Sequence, residues 1–349
     1  MEAVSSKKRA TIDDVVRLSG VSRSSVFRYL NGKSLKPALQ EAVKLALRHT
    51  GYAIEPDSSE SAQEILISAP SVAGGFRGYA DHVDGIMARA SERGIRVRIS
   101  SRRPGKPDGL PGLVAELLGE AAGTNGVIIL GTTISEEEAD VRALRKRGIP
   151  FVLINRVMNE EGISYVSPDF REAAREAVAH LLSIGRRRVA LWDDGSDSYR
   201  MQRDKLAGYF DAHERAGLEI DRSLVVARGS EPLEAVAARL LSSKDRPDAW
   251  FSMDDHAAMR VIRVARNRGL RIPEDLAVVG MNDIEPASFS HPSISSVSLP
   301  FYEAGRSAID VLVRLATRSY ESVIRVTLAH HLIVRESSGG SAVSERGDE

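Results

Sequence analysis

A small helical module followed by two open α/β lobes is the fold that this 349-residue sequence predicts. Three observations predict it. From Ile65 onward, eight short apolar runs alternate with amphipathic stretches of helical length, the pattern of parallel sheets covered on both faces. Eight such units between residues 65 and 336 exceed what one ordinary core holds, and suit two doubly wound lobes better than one sheet. Ahead of them, residues 1–52 carry helix patterns around a sharp glycine turn and no strand pattern.

The helical module is legible residue by residue. Thr11, with Asp14 three positions on, reads as a capping box that opens a first helix. Ile12, Val15, Val16 and Leu18 give that helix its apolar side, and Gly20 permits the turn that follows. Ser22 caps a second helix whose Val26, Tyr29 and Leu30 point inward against Val21. Arg23, Ser24, Phe27, Arg28 and Asn31 share the opposite stripe, with Ser25 beside them. A third helix follows Pro37, and Val43, Leu45, Ala46 and Leu47 close a small core. The outward stripe suits a major-groove floor, because arginine reaches guanine O6 and N7 with two donors and an aromatic ring meets a thymine methyl. Thr11, Ser22, Arg23, Ser24, Ser25, Phe27, Arg28 and Asn31 are therefore the candidate DNA-contacting residues, with Lys33 and Lys36 placed to hold phosphate.

Charge is partitioned to match. Residues 1–50 hold ten Lys/Arg against four Asp/Glu, a net of +6, whereas the whole chain is balanced at 48 and 48, which leaves −6 on the remainder. A basic head on an acidic body is the footprint expected when only the head meets phosphate. Hydrophobic content of 42% with 28% charged residues is that of a globular protein. The absence of cysteine excludes disulfides, thiolate metal sites and cysteine nucleophiles, and fits a reducing compartment. Met1–Arg9 has no apolar stretch of the secretory kind, and no apolar run approaches the roughly 18 residues of a membrane helix, so a cytoplasmic protein is expected.

In the body the predicted strands are Ile65–Ala69, Ile95–Ser100, Gly126–Leu130, Phe151–Ile154, Val189–Trp192, Leu224–Ala227, Ala249–Ser252 and Leu276–Val279. Between them lie helix patterns at Tyr79–Arg93, Glu136–Arg147, Phe170–Ser183, Leu206–Ala216, Leu233–Leu241, Ala257–Arg268 and Tyr302–Ala316, several of which stop at a glycine. Ligands of such folds sit beyond the carboxyl ends of the strands.

The order of short phrases along the chain carries a resemblance to the LacI family of bacterial transcription regulators. The helix–turn–helix resembles that family's, with Val21-Ser22 opening the second helix and Arg28 and Asn31 late in it. Further phrases follow in the family's order: Tyr165–Asp169, His180–Ala190, Lys205–Tyr209, Asp254-Asp255, Gly269–Asp283 and His291–Val297. The resemblance implies a periplasmic-binding-protein-like body crossed three times by the chain, with the last helix near Phe301–Ala316 returning to the first lobe. It also implies a homodimer that binds a double-stranded operator and a small effector, usually a sugar. By position within the matching phrases, Asn155, Lys205, Asp254, Asn282 and Phe301 are candidate effector residues, and Ser71 is a further one. Asn155 and Asn282 stand where the family frequently has aspartate, and Lys205 where it has arginine. Two amides in place of carboxylates make the pocket less negative, which admits a sugar acid or sugar phosphate as well as a neutral sugar.

Other motifs read as structure. Asp169, Asp255 and Asp283 follow strands and are expected to cap helices or hold loops rather than act as catalytic acids. Arg186-Arg187-Arg188 reads as a solvated turn, His330-His331 as part of a late strand, and Asp193–Asp197 as a turn. Histidine spacing suggests no metal site, and neither a Gly-rich phosphate loop nor a nucleophile elbow is found, so no cofactor and no enzymatic activity are expected. The competing class is a non-exported sugar-binding protein or sugar-metabolising enzyme with an accessory DNA-binding head. Residues 53–64 depart from the family pattern: Glu55–Glu64 offers no cation and no leucine to wedge into a minor groove, so a linker with a degenerate hinge is expected. Residues 337–349, rich in Ser, Gly and charge, are expected to form a flexible tail without a tetramerising helix.

Overall fold

A computed structural model describes residues 11–30, 35–50, 63–70, 78–102, 109–131, 139–157, 162–193, 200–227, 231–317 and 323–340. The chain divides into two compact units, 1–61 and 62–349.

The amino-terminal unit contains α1 (Ile12–Ser19), α2 (Arg23–Leu30) and α3 (Pro37–Thr50). The Asp14 carboxylate accepts from the backbone N–H of Thr11 at 2.9 Å and from its hydroxyl at 2.8 Å, which holds the start of α1. Gly20 ends α1 in the left-handed region, φ 64°, where a side chain would be strained. Ser22 Oγ accepts from the backbone N–H of Ser25 and so caps α2. Val15, Val21, Val26, Val43 and Ala46 form the core, with Ile12, Val16, Tyr29 and Leu47 against it. Two expected members stand outside: Leu18 is 56% exposed and Leu45 54%.

Among the described residues the larger unit holds two six-stranded sheets. The first lobe has β1 (Glu64–Pro70), β2 (Arg96–Arg102), β3 (Gly126–Leu130), β4 (Phe151–Ile154), β5 (Tyr165–Pro168) and β11 (Arg325–Leu328), ordered β11-β5-β4-β3-β1-β2. The second has β6 (Val189–Asp193), β7 (Val225–Ala227), β8 (Ala249–Phe251), β9 (Ala277–Met281), β10 (Ser295–Ser298) and β12 (His331–Ile333), ordered β12-β10-β9-β8-β6-β7. All pairings are parallel except β10 with β12, where Val297 faces Leu332. Every residue of β3, β4 and β9 is buried, as continuous apolar strands covered on both faces require. Helices α4 (Tyr79–Glu92), α5 (Gly109–Ala121), α6 (Ala139–Arg147) and α12 (Phe301–Thr317) cover the first lobe. The second is covered by α7 (Phe170–Ser183), α8 (Arg200–Arg215), α9 (Leu233–Leu241), α10 (Asp255–Arg266) and the short α11 (Glu285–Phe289). The chain passes between lobes after β5, after β10 and after β11, and α12 packs on α4, β3 and β4 of the first lobe.

Several sequence expectations need correction. Glu64 belongs to β1 rather than to the linker, and residues 53–62 lie outside the described residues. Residues 337–340, assigned to a flexible tail, are seated in the second lobe: Ser337 and Ser338 are buried in a 3-10 turn, and Ser337 Oγ donates to the Val278 carbonyl at 2.6 Å. Residues 341–349 lie outside the described residues. The Arg186–Arg188 run is not simply solvated. Arg186 donates to the carbonyls of Pro273 and Glu274, and Arg188 pairs with Asp221 at 2.9 Å, so the run ties the second lobe's loops together.

Candidate functional site

The face of α2 that leaves the head's core is polar and exposed. Ser22, Arg23, Ser24 and Arg28 are exposed, Ser25 is half-buried, and Phe27 keeps 46% of its surface in solvent. Phe27 thus leaves nearly half of its ring in solvent on the helix that also carries Arg23 and Arg28. Arg23 is paired at its outer end with Asp13 of α1 at 3.2 Å. Thr11 and Lys36 are exposed, whereas Asn31 and Lys33 fall outside the described residues.

In the body, the candidate effector residues gather where parallel strands end. Asn155 follows β4, Met253 and Asp254 follow β8, Asn282 follows β9, and Phe301 opens α12 just beyond β10. Lys205 lies on α8, the helix entered from β6. Ser71 lies outside the described residues. Among the described residues three non-glycine residues have positive φ: Asn155 (59°), Asn282 (101°) and Asp283 (51°). Short amide and carboxylate side chains tolerate that region best, and such strain concentrates where a side chain must be aimed.

Each residue has definite surroundings. Asn155 is buried, and its Nδ2 lies 3.1 Å from Nε2 of His82 on α4. The His82 ring is also buried, with its centroid 4.7 Å from that of Phe301. Burial lowers the His82 pKa from 6.5 to about 4, against the opposing hydrogen bonds to Gly78 and Asn155, so the ring is neutral at physiological pH. Phe301 also belongs to the second lobe's core cluster with Phe170, Met253 and Met281, which joins the two lobes through one side chain. The buried Lys205 Nζ donates to the Met253 carbonyl at 2.9 Å and lies 5.6 Å from the Phe170 ring centroid. Asp254 accepts from the Ala257 N–H at 2.8 Å, which makes it the cap of α10. Asn282 is half-buried, and its N–H donates to the Val297 carbonyl at 2.8 Å.

The three aspartates expected to be structural each hold a neighbour. Asp169 caps α7 through Glu172 N, Asp255 accepts from Ser296 Oγ and Ile284 N, and Asp283 pairs with Arg335 at 2.7 Å. No cluster of His, Cys, Asp or Glu able to hold a metal is found among the described residues.

Three polar residues escaped the sequence reading. Besides His82, these are Trp192 near the end of β6 and Ser252 just past β8, which become neighbours because β6 pairs with β8 up to Leu191 and Phe251. Trp192 Nε1, Ser252 Oγ and Asn155 Oδ1 are buried atoms without a hydrogen-bond partner among the described residues. The β6/β8 boundary is the point where the second sheet reverses its winding, the usual position of a ligand crevice. That signal exists only once strand order is known.

Comparison with known proteins gives the family and the fold. Residues 178–338 match the periplasmic binding protein-like domain model. The chain is 31% identical over 353 residues to the HTH-type transcriptional regulator CelR of Thermobifida fusca, covering 95% of this chain and 99% of that one. It belongs to the LacI family of transcriptional regulators. Another relative is catabolite control protein A of Priestia megaterium, 27% identical over 338 residues and covering 94% of this chain and 99% of that protein. The solved structure of a CelR–cellobiose complex superimposes with a TM-score of 0.69 at 30% identity, over 95% of this chain and all of that one. The operator-bound lac repressor dimer gives the same TM-score at 22% identity, over 95% and 99% of the two chains, and shares the fold. These relatives are regulators rather than enzymes. No helix among the described residues is long and apolar enough to cross a membrane.

Proposed function

We propose that this LacI-family regulator is a cytoplasmic, homodimeric repressor whose head reads an operator and whose body senses a small sugar held between the lobes. The supporting observation is a linked set of side chains near the carboxyl ends of strands in both lobes: Asn155 after β4 meets His82, His82 lies against Phe301, Phe301 shares a core cluster with Met253, and Lys205 donates to the Met253 carbonyl, while Asp254 and Asn282 follow β8 and β9. Paired hydroxyls need donors and acceptors at fixed separations beside an apolar face, and strand ends supply them on a rigid frame. On the head, Arg23, Ser24, Phe27 and Arg28 would contact bases, while Thr11, Ser22, Ser25, Asn31 and Lys36 would contact backbone or flanking bases. Residues 1–52 form the reader, 53–63 the linker, and 64–340 the sensor in this reading. Effector binding shifts the dimer between operator-competent and incompetent states in proportion to its different affinity for the two. The relative whose structure holds cellobiose makes that disaccharide the first probe.

The test is retention of genomic fragments on the immobilised full-length protein, with sequencing of what is retained, across a salt series and with cellobiose and a panel of neutral sugars, sugar acids and sugar phosphates. Sequence-selective, salt-sensitive retention that one of these ligands abolishes or creates is the expected outcome. Retention without sequence preference, or indifferent to every ligand, rejects the proposal.

A further inference from the structure

His82 has no counterpart among the residues expected to touch a ligand, yet it is a fully buried imidazole beside two that are. We propose that His82 is a positioning residue that locks the amide of Asn155, so that Asn155 offers the effector only its carbonyl oxygen and selects a hydroxyl, not a carboxylate or phosphate, at that point. This rests on the reading of the inter-lobe residues as an effector site.

Hydrogen-bond bookkeeping around the ring leads to it. His82 Nδ1 faces the backbone carbonyl of Gly78. A carbonyl can only accept, so Nδ1 carries the ring proton. In a neutral imidazole the other nitrogen, Nε2, is then a lone-pair acceptor. Burial keeps the ring neutral, since it pulls the pKa down to about 4. The group facing Nε2 at 3.1 Å must be a donor, and Asn155 therefore turns its NH2 toward His82. An isolated asparagine flips freely between its two orientations; here the histidine decides.

The consequence falls on the other end of the amide. Asn155 Oδ1 is buried and has no hydrogen-bond partner among the described residues. Leaving a buried carbonyl oxygen unbonded is costly, and such an atom is satisfied when something that donates arrives. A hydroxyl does so. An ionised carboxylate or phosphate presents lone pairs to lone pairs and is repelled. Lys205, the candidate cation of the site, already donates to the Met253 carbonyl and sits against the Phe170 ring. Gly78 belongs to the same device. It caps α4 at φ 73°, its carbonyl accepts from the His82 backbone N–H at 3.1 Å as well as facing Nδ1, and a Cβ there would fall 2.4 Å from the Phe301 ring, so substitution would displace the ring or the backbone.

Two measurements on the full-length protein test the lock. Long-range proton–nitrogen spectra of protein labelled at histidine, compared among wild type, His82→Gln and His82→Leu, isolate the His82 signal. The expected pattern at pH 7.5 is a neutral ring protonated at Nδ1 with Nε2 accepting. A ring protonated at Nε2, or an imidazolium, overturns the proposal. Calorimetric titration with cellobiose is the second. His82→Leu frees the amide and should weaken binding roughly tenfold, the worth of one well-aligned hydrogen bond. His82→Gln, whose own carbonyl can accept from Asn155, should recover affinity to within about threefold. Unchanged affinity in His82→Leu, or equal loss in both variants, overturns the proposal. If wild type does not take up cellobiose, that counts against the sugar chosen above, and the histidine spectrum still decides the lock.

Discussion

Removing Asp140 should be among the most damaging single changes to the sensor. Its carboxylate accepts from Arg156 Nη1 at 2.8 Å and Nη2 at 3.3 Å, and the side chains are 0% and 6% exposed. Asp140 sits on the first turn of α6, while Arg156 directly follows Asn155, so the pair fastens the loop that carries the effector amide. In Asp140→Ala the guanidinium stays buried with its charge unpaired, which costs about 3–5 kcal/mol, whereas replacing both partners by apolar residues of similar volume is close to neutral. For a unit of this size, each kcal/mol lowers the midpoint by roughly 2 °C, so a fall of about 6–10 °C is expected. Differential scanning calorimetry of wild type, Asp140→Ala, Arg156→Met and the Asp140→Leu/Arg156→Met double variant gives the cycle. Most of the loss should return in the double variant. A midpoint for Asp140→Ala within about 2 °C of wild type would refute the reasoning, because a buried charge would then have found another partner or water at little cost.

Arg28→Ala in α2 should weaken operator binding by roughly 1–3 kcal/mol and relax sequence preference, as read by fluorescence anisotropy on fragments enriched by the wild-type protein. Unchanged affinity and selectivity would remove Arg28 from the base-reading set. Gly305 lets α12 approach α4 closely: a Cβ there would fall 2.2 Å from the His82 carbonyl oxygen, so one helix must move in Gly305→Ala. A loss of about 1–3 kcal/mol in urea unfolding is expected, together with weaker effector binding because α4 carries His82. Burial raises the Asp255 carboxyl from 3.8 to about 6, assisted by the nearby Asp283 carboxylate and opposed by the Ser296 and Ile284 hydrogen bonds and by Arg335. A carboxyl whose folded pKa lies above its unfolded value contributes stability at low pH that is lost as pH rises through the folded pKa. Between about pH 4 and 6 this group therefore makes stability fall as pH rises, and Asp255→Asn should remove that slope from the urea midpoint. A slope identical in the two proteins would show that Asp255 titrates normally.

Local periodicity carried much of the fold. The bounds expected for β3, β4, α7 and α9 coincide with those observed, because each is a strand buried on both faces or a helix with one clear apolar side. The failures share a cause. β10 is Ser295-Ser296-Val297-Ser298, which reads as loop, yet its first three residues are buried. Its serines are satisfied from far along the chain: Ser295 by Arg335 and Ser337, Ser296 by Asp255. α5 is obscured by the glycines and proline in its Gly109–Ala121 segment. Leu18 and Leu45 fit an apolar stripe in sequence, but a core closed by three helices has room for only some of the residues that qualify.

What the order of residues determined alone is the basic reading head, the alternation that builds two parallel sheets, and the polar residue types at strand ends, since each depends on neighbours within a turn or two. Strand order was not available at that range, and with it came the placing of Trp192 and Ser252 just beyond the last β6/β8 pair, Leu191 with Phe251. Nor could local pattern reveal that a histidine 73 positions before Asn155 sets the direction of its amide. Hydrogen-bond polarity is a property of contacts, and contacts between distant segments exist only after the chain has closed on itself.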